Sequence, residues 1–328
     1  MHLAPSIIFA DEAVLHRHQE RITTAAASKA KRQILGHSLQ HQASQYEMLP
    51  ACASLLLETN PGTYVKLAVD RNTKRFQRIF ICPPTSSKSF VHCRPFIAVD
   101  GTFTKTQFIQ TLLLAVGIDA DNHAVLLAWA LVESETEDSW RFFLTNLKST
   151  IPTINSSHVT LMSDRDKGLA AASTELPETK RAHCIQHLAE NVGKTYRKEA
   201  RDLFRAISCS LTLDEYEANL QRLQEHSAPA AQYVNSLNRT KYCAPFFPSR
   251  TYGHLTSNIV ESVNNSLLDE RALPCLELLD AIWHKLMHLR FERNIDSKIY
   301  PKGQKFTSYG QNLLRGIFFL TLTIYKSP

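Results

Sequence analysis

The chain has 328 residues, 44% of them hydrophobic and 21% charged, the proportions of a folded soluble protein rather than a disordered or fibrous one. Its formal charge of +6 is a mild basic bias, compatible with a nucleic-acid partner but not proof of one. The seven cysteines are odd in number and irregularly spaced, which argues against a disulfide framework and for a reducing compartment, cytosol or nucleus. No secretory signal is expected, since Ile7-Ile8-Phe9 is too short and acidic residues follow directly. Nor does any apolar run approach the ~20 residues of a bilayer span.

In chain order, residues 1–45 are polar and without a clean period. Lys29-Ala30-Lys31-Arg32 reads as a solvated helix face. Met48, Leu49, Leu55, Leu56 and Leu57 predict a short helix, stopped by Asn60-Pro61-Gly62. Tyr64 to Val69 alternates as a strand, and Phe76 to Ile81 returns as its hairpin partner. Residues 46–93 are therefore expected to form a small α+β preamble, closed by the loop around Pro83-Pro84.

The central block carries strands predicted over 96–102, 109–118 and 123–132. Glu137-Asp138-Ser139-Trp140 opens an amphipathic helix, and His158 to Ser163 is a further strand. A helix over Lys167 to Ser173 and a short strand over 180–184 complete a mixed sheet with helices packed on it. Two strands end on aspartates, Asp100 and Asp164. Asp100 alone reads equally as an Asp-Gly turn residue or a cation ligand. Two carboxylates at one sheet edge repel unless a proton or a metal lies between them, which raises the metal reading. Oxygen ligands with room for water suit Mg²⁺ or Mn²⁺. Asp166 reads as the start of the next helix.

From Ala189 to Thr240 apolar residues recur at threes and fours, as in a helical insertion. A new helix opens near Asn258, which places Glu261 in a capping-box position. Pro274 to Asn294 carries a helical apolar stripe. Trp140 reads as a core aromatic. Cys184-x-x-His187 is half of a tetrahedral zinc site; His183, Cys209, Cys243 and His254 have no spacing that completes it, so zinc is not expected. Lys105, Arg165, Lys167, Lys194, Arg197, Lys198 and Arg250 are candidates for contact with DNA phosphates.

The ordered series Asp100-Gly101-Thr102-Phe103, Ser139-Trp140, Ser163-Asp164-Arg165, His183-Cys184-Ile185-Gln186-His187-Leu188 and Ser257-Asn258-Ile259-Val260-Glu261-Ser262-x-Asn264 resembles the transposase domain of Mutator-like elements (MULE). Asn60-Pro61-Gly62-Thr63 and Phe90 to Pro95 are similar to the segment that precedes it, so the likeness spans about residues 46 to 290. The resemblance implies a ribonuclease H-like α+β fold, with a five-stranded mixed sheet, a core over 94–188, a helical insertion over 189–250 and closing helices over 251–296. It implies a DDE-type catalytic triad of Asp100, Asp164 and Glu261 on two Mg²⁺ or Mn²⁺ ions, and gives Cys184 and His187 an accessory role. The expected function is DNA cleavage and strand transfer in the nucleus, with transposon ends and target DNA as partners, no membrane, and a homo-oligomer left open. The alternative is a domesticated, non-catalytic DNA-associated regulator of the far-red-impaired-response type. The Cys/His fingers that usually flank this domain have no counterpart here, and residues 297–328 depart from the family's continuation. A truncated copy is therefore expected, with the target DNA sequence open.

Overall fold

In the computed structural model, the described residues are 39–298, 301 and 303–315. The basic cluster 29–32 and the apolar stretch 316–325 lie outside them. Helix α1 spans Leu39–Thr59 and is followed by strands β1 (Tyr64–Val69) and β2 (Phe76–Cys82). Helix α2 (Pro84–Phe90) leads into β3 (Phe96–Phe103), β4 (Thr111–Ile118) and β5 (Ala124–Val132). Helix α3 (Glu137–Thr150), β6 (Thr160–Ser163), α4 (Lys167–Ala172) and β7 (Lys180–His183) complete the sheet region. Helices α5 (Ile185–Cys209), α6 (Leu213–His226), α7 (Ala228–Ser236), α8 (Asn258–Ser266) and α9 (Cys275–Ser297) follow.

The seven strands form one sheet in the order β1-β2-β5-β4-β3-β6-β7. β3 pairs in parallel with β6, and β6 with β7, while every other neighbour is antiparallel. The five expected strands are thus contiguous and in ribonuclease H-like order. The early hairpin extends their antiparallel edge, because β2 pairs with β5 from Arg78↔Val132 to Ile81↔Trp129. Period-2 hairpin residues give no hint of which strand they will join, so the sequence reading stopped at five.

Alternation along β3 supplies both faces of the sheet. Phe96 and Ala98 pack with Val260 of α8 and with Leu278 and Ile282 of α9. Ile97 and Val99 pack with Trp140, Phe143 and Leu147 of α3 and Leu169 of α4. Helices α5 to α7 bury a separate cluster around Val192, Phe204, Leu223 and Val234. That lobe is the expected helical insertion. Within α5, Arg197 breaks the helical backbone at φ 73°.

The starts of α3 and α4 press together at Gly168. A Cβ there would lie 2.8 Å from the Glu137 backbone nitrogen and 3.0 Å from the Thr136 carbonyl carbon. Backbone cannot swing aside as a side chain can. Gly168→Ala should therefore lose about 1–2 kcal/mol in urea unfolding, since overpacking of ~1–3 kcal/mol outweighs the ~1 kcal/mol that alanine gains in a helix. Stabilisation instead would mean that the two helices part freely.

Candidate active site

β3 and β6 run side by side, and their last paired residues are Ala98 and Met162. Asp100 and Asp164 each lie two residues further on, so both aspartates emerge at the same end of the sheet. Asp100 shares its face with Phe96 and Ala98, the face that α8 covers. Its side chain is half-buried. Burial, then the charges of Asp164 and Glu261, push its carboxyl up to about 7, against a hydrogen bond from the Gly101 N–H. Asp100 is therefore close enough to Asp164 and Glu261 for both charges to act on it.

Asn264 Nδ2 donates to Asp100 Oδ2 at 2.8 Å, while the Asn264 Oδ1 is buried without a partner. Asn264 follows Glu261 by one helical turn, so α8 presents both to the sheet edge. The capping-box account of Glu261 is corrected here. Ser257, not Asn258, is the N-cap of α8, and it makes no side-chain cap bond. Its hydroxyl instead donates to Glu261 Oε1 at 2.7 Å, which aims that carboxylate rather than closing the helix end. Arg271 also stands near Asp100. Its guanidinium donates to the Thr102 hydroxyl, burial holds its pKa down, and the Asp100 charge opposes that shift.

A fourth acid, Glu135, escaped the sequence reading. It lies between β5 and α3, with a carboxylate oxygen 3.0 Å from where a Gly101 Cβ would sit. Burial pushes its carboxyl up, a hydrogen bond from Trp140 pulls it down, and the charges of Asp166 and Asp164 push it up again. Trp140 is a core residue, 1% exposed, with its ring edge-to-face on Phe143. Its Nε1 also donates to Glu135 Oε1 at 3.1 Å, so the expected core role is only part of what it does. The available signal was the position of Glu135 just ahead of the helix that carries Trp140. Asp166 caps α4 by accepting from the Leu169 N–H at 2.7 Å, as expected.

Cys184 and His187 sit against this cluster. Cys184 is the N-cap of α5, 1% exposed, and its sulfur accepts from the Ser257 N–H at 3.2 Å. Burial pushes the thiol up, but hydrogen bonds from His187 and Ser257 prevail and hold it below the usual thiol value. The Cys184 sulfur, then Glu261 and Asp164, hold the His187 imidazole up at about 9 against its burial. His187 Nε2 lies 3.9 Å from Glu261 Oε1. Among the described residues, the one set of three metal-ligating groups with all donor atoms within 4.8 Å of one another is Cys184, His187 and Glu261. Asp100, Asp164 and Glu261 are spaced more openly than that.

Beyond Asp164 the surface turns basic. A cleft of about 690 Å³ is lined by Arg165, Lys167, Arg181, His183 and Lys241, with no carboxylate in its wall. Burial, then Arg181, Arg165 and Lys241, hold the His183 imidazole down at about 4. Burial, then Arg181 and Lys180, hold the Lys241 ammonium down as well. The structure brings together Arg165 and Lys167 of the expected DNA contacts. It adds Arg181 and Lys241, which no local pattern singles out. Lys194, Arg197 and Lys198 are exposed on α5, while exposed Lys105 and Arg250 stand elsewhere, bonded through their backbones to Arg271 and Thr160.

The sheet is thus ribonuclease H-like, with Asp100 and Asp164 at the same end of its parallel strands. Residues 96–191 match the model of the MULE transposase domain, from the start of β3 into α5. This segment is therefore similar to a MULE transposase domain, which suggests a transposase-related function. It includes Asp100, Trp140, Asp164, Cys184 and His187; Glu261 lies beyond it. Among curated proteins, none matches the chain. Among the described residues no helix is long and apolar enough to cross a membrane.

Proposed function

We propose that this chain is the catalytic domain of a DDE-type DNA transposase, which cleaves DNA strands and joins them with Asp100, Asp164 and Glu261 as its catalytic acids. The observation that carries the reading is the placement of Asp100 and Asp164 at one end of the parallel strands β3 and β6, with Glu261 near enough for its charge to act on Asp100. Such a cluster fits divalent cations: its donors are hard carboxylate oxygens, and a cation would relieve the repulsion that burial intensifies. Asp100, Asp164 and Glu261 would hold Mg²⁺ or Mn²⁺, which when bound lowers the pKa of an attacking water or 3′-hydroxyl and steadies the leaving oxygen.

The protein's own part is positional. Asn264 fixes one oxygen of Asp100, and Ser257 fixes one oxygen of Glu261. Glu261 therefore keeps its second oxygen for a ligand. Arg165, Lys167, Arg181 and Lys241 offer a polyanion its phosphate contacts beside the acids. DNA is the expected partner and the nucleus the expected compartment.

The test is manganese-dependent nicking of supercoiled DNA. Wild type should nick, while Asp164→Ala and Glu261→Gln should each fall on the order of 10³-fold or more. Metal-independent nicking, or nicking indifferent to both changes, would overturn the reading. DNA binding with no nicking would leave the non-catalytic regulator.

A further inference from the structure

We propose that Cys184, His187 and Glu261 form a site for zinc(II) that competes with the carboxylate cluster for Glu261. The Cys-x-x-His spacing supplies two ligands from the first turn of α5. The third comes from α8, which no spacing within the motif could have named. A sulfur, an imidazole nitrogen and a carboxylate oxygen are a zinc donor set, whereas Mg²⁺ and Mn²⁺ prefer oxygen alone.

The surroundings are those of a built site. Ser257 supports two of the three ligands at once, its N–H on the Cys184 sulfur and its hydroxyl on Glu261 Oε1. Such outer contacts orient metal ligands. The His187 imidazole already interacts with the Cys184 sulfur, and its Nδ1 is buried. The side chains of His187 and Glu261 are 40% and 37% exposed, so both can shift and water can reach a fourth position. Tetrahedral zinc needs neighbouring donors ~3.3–3.6 Å apart. From a starting spread within 4.8 Å, small rotations of two half-exposed side chains suffice.

The consequence rests on the proposed catalytic role of Glu261. A carboxylate drawn to zinc beside Cys184 no longer faces Asp100. Zinc should then inhibit the manganese-dependent reaction by withholding one acid, without displacing DNA.

The experiment uses the full chain and two readouts. Cobalt(II) titrated into wild type should produce a thiolate-to-cobalt charge-transfer band, abolished by Cys184→Ser and retained by Cys209→Ser. Zinc affinity, from competition with cobalt, should fall in His187→Gln and Glu261→Gln by more than the ~10–100-fold that loss of an outer partner costs. Ser257→Ala should fall within that range. Near-ultraviolet circular dichroism checks that each variant is folded, and His187→Gln, altered at a half-exposed position, stands in if Cys184→Ser is not.

No charge-transfer band, or a band that survives Cys184→Ser, overturns the site. A band and affinity indifferent to Glu261→Gln overturn the sharing of Glu261. Fractional inhibition of nicking by zinc should be lost in His187→Gln, and equal inhibition in that variant also overturns the sharing. If wild type never nicks but the band behaves as expected, the catalytic reading fails and the zinc site stands.

Discussion

Asp100→Asn should abolish manganese-dependent nicking, on the order of 10³–10⁴-fold, and at the same time make the metal-free protein more stable near pH 8. The two effects share one cause. The Asp100 carboxyl is pushed from 3.8 to about 7 by burial and by the charges of Asp164 and Glu261. Between about pH 4 and 7 the unfolded chain has released a proton that the folded chain still holds. The unfolded state then binds fewer protons, so stability falls as pH rises through that window and levels off above about 7. Each unit is worth about 1.4 kcal/mol, and a half-buried group realises part of it, so the loss is about 2 kcal/mol. Asparagine carries no charge to repel and still offers an oxygen to the Asn264 Nδ2, so it should recover most of that amount as a few degrees of melting temperature. Adding Mn²⁺ should close the gap from the other side by stabilising wild type, by ~2.7 kcal/mol at a hundred times its dissociation constant, and the variant much less. A wild-type melting temperature that is flat from pH 4 to 8, together with no gain in Asp100→Asn, would show that the acids do not repel.

What could be read in advance follows the range of the interactions involved. The apolar runs before Asp100 and Asp164 are local patterns, and each forms a strand as expected; β6 ends just before Asp164, whereas β3 runs on through Asp100 to Phe103 because its pairing with β4 continues. That the two strands are parallel neighbours, and so put both acids at one edge, was open in the sequence, because β4, β5 and α3 lie between them in the chain. Glu261 was assigned by resemblance, because its spacing alone also suits a capping box; the structure removes that rival by giving Ser257 the cap position. The contacts that could not be foreseen all cross long stretches of chain: Asn264 on Asp100, Ser257 on Cys184, Arg271 on Thr102. Side chains brought together by tertiary packing leave no periodic trace in sequence. The same limit hid the cleft, since Arg165 and Lys167 belong to the loop after β6 and the start of α4, Arg181 to β7, and Lys241 follows α7.

The catalytic acids and the zinc site proposed above share helix α8. α8 carries Val260, 0% exposed, into the core beneath β3 and β4, and that burial fixes where the helix stands. Glu261, the next residue, is half-exposed and its position is set by hydrogen bonds rather than by packing. A carboxylate held in this way can turn toward Asp100 or toward Cys184 without moving the helix. Asn264, buried and fixed on Asp100, has no such choice.

Trp140→Phe and Trp140→Ala should separate the two tasks of the indole. Truncation to alanine removes a side chain that is 1% exposed and stacked edge-to-face on Phe143, at a cost of ~3–5 kcal/mol at any pH. Phenylalanine keeps most of that packing and deletes only the Nε1–H that donates to Glu135 Oε1. A bond to a charged acceptor is worth more than one to a neutral group, and here the carboxylate also faces the charges of Asp166 and Asp164. The bond lowers the Glu135 pKa in the folded state, so its contribution is full at neutral pH and fades as pH falls and Glu135 takes up a proton. Trp140→Phe should therefore lose about 1–2 kcal/mol more at pH 7.5 than at pH 4, while the alanine variant adds a large loss that does not vary with pH. Urea unfolding at the two pH values makes the comparison. An equal penalty for phenylalanine at both would reduce Trp140 to a core aromatic, and Glu135 would then stand at the edge of the acidic cluster unsupported by α3.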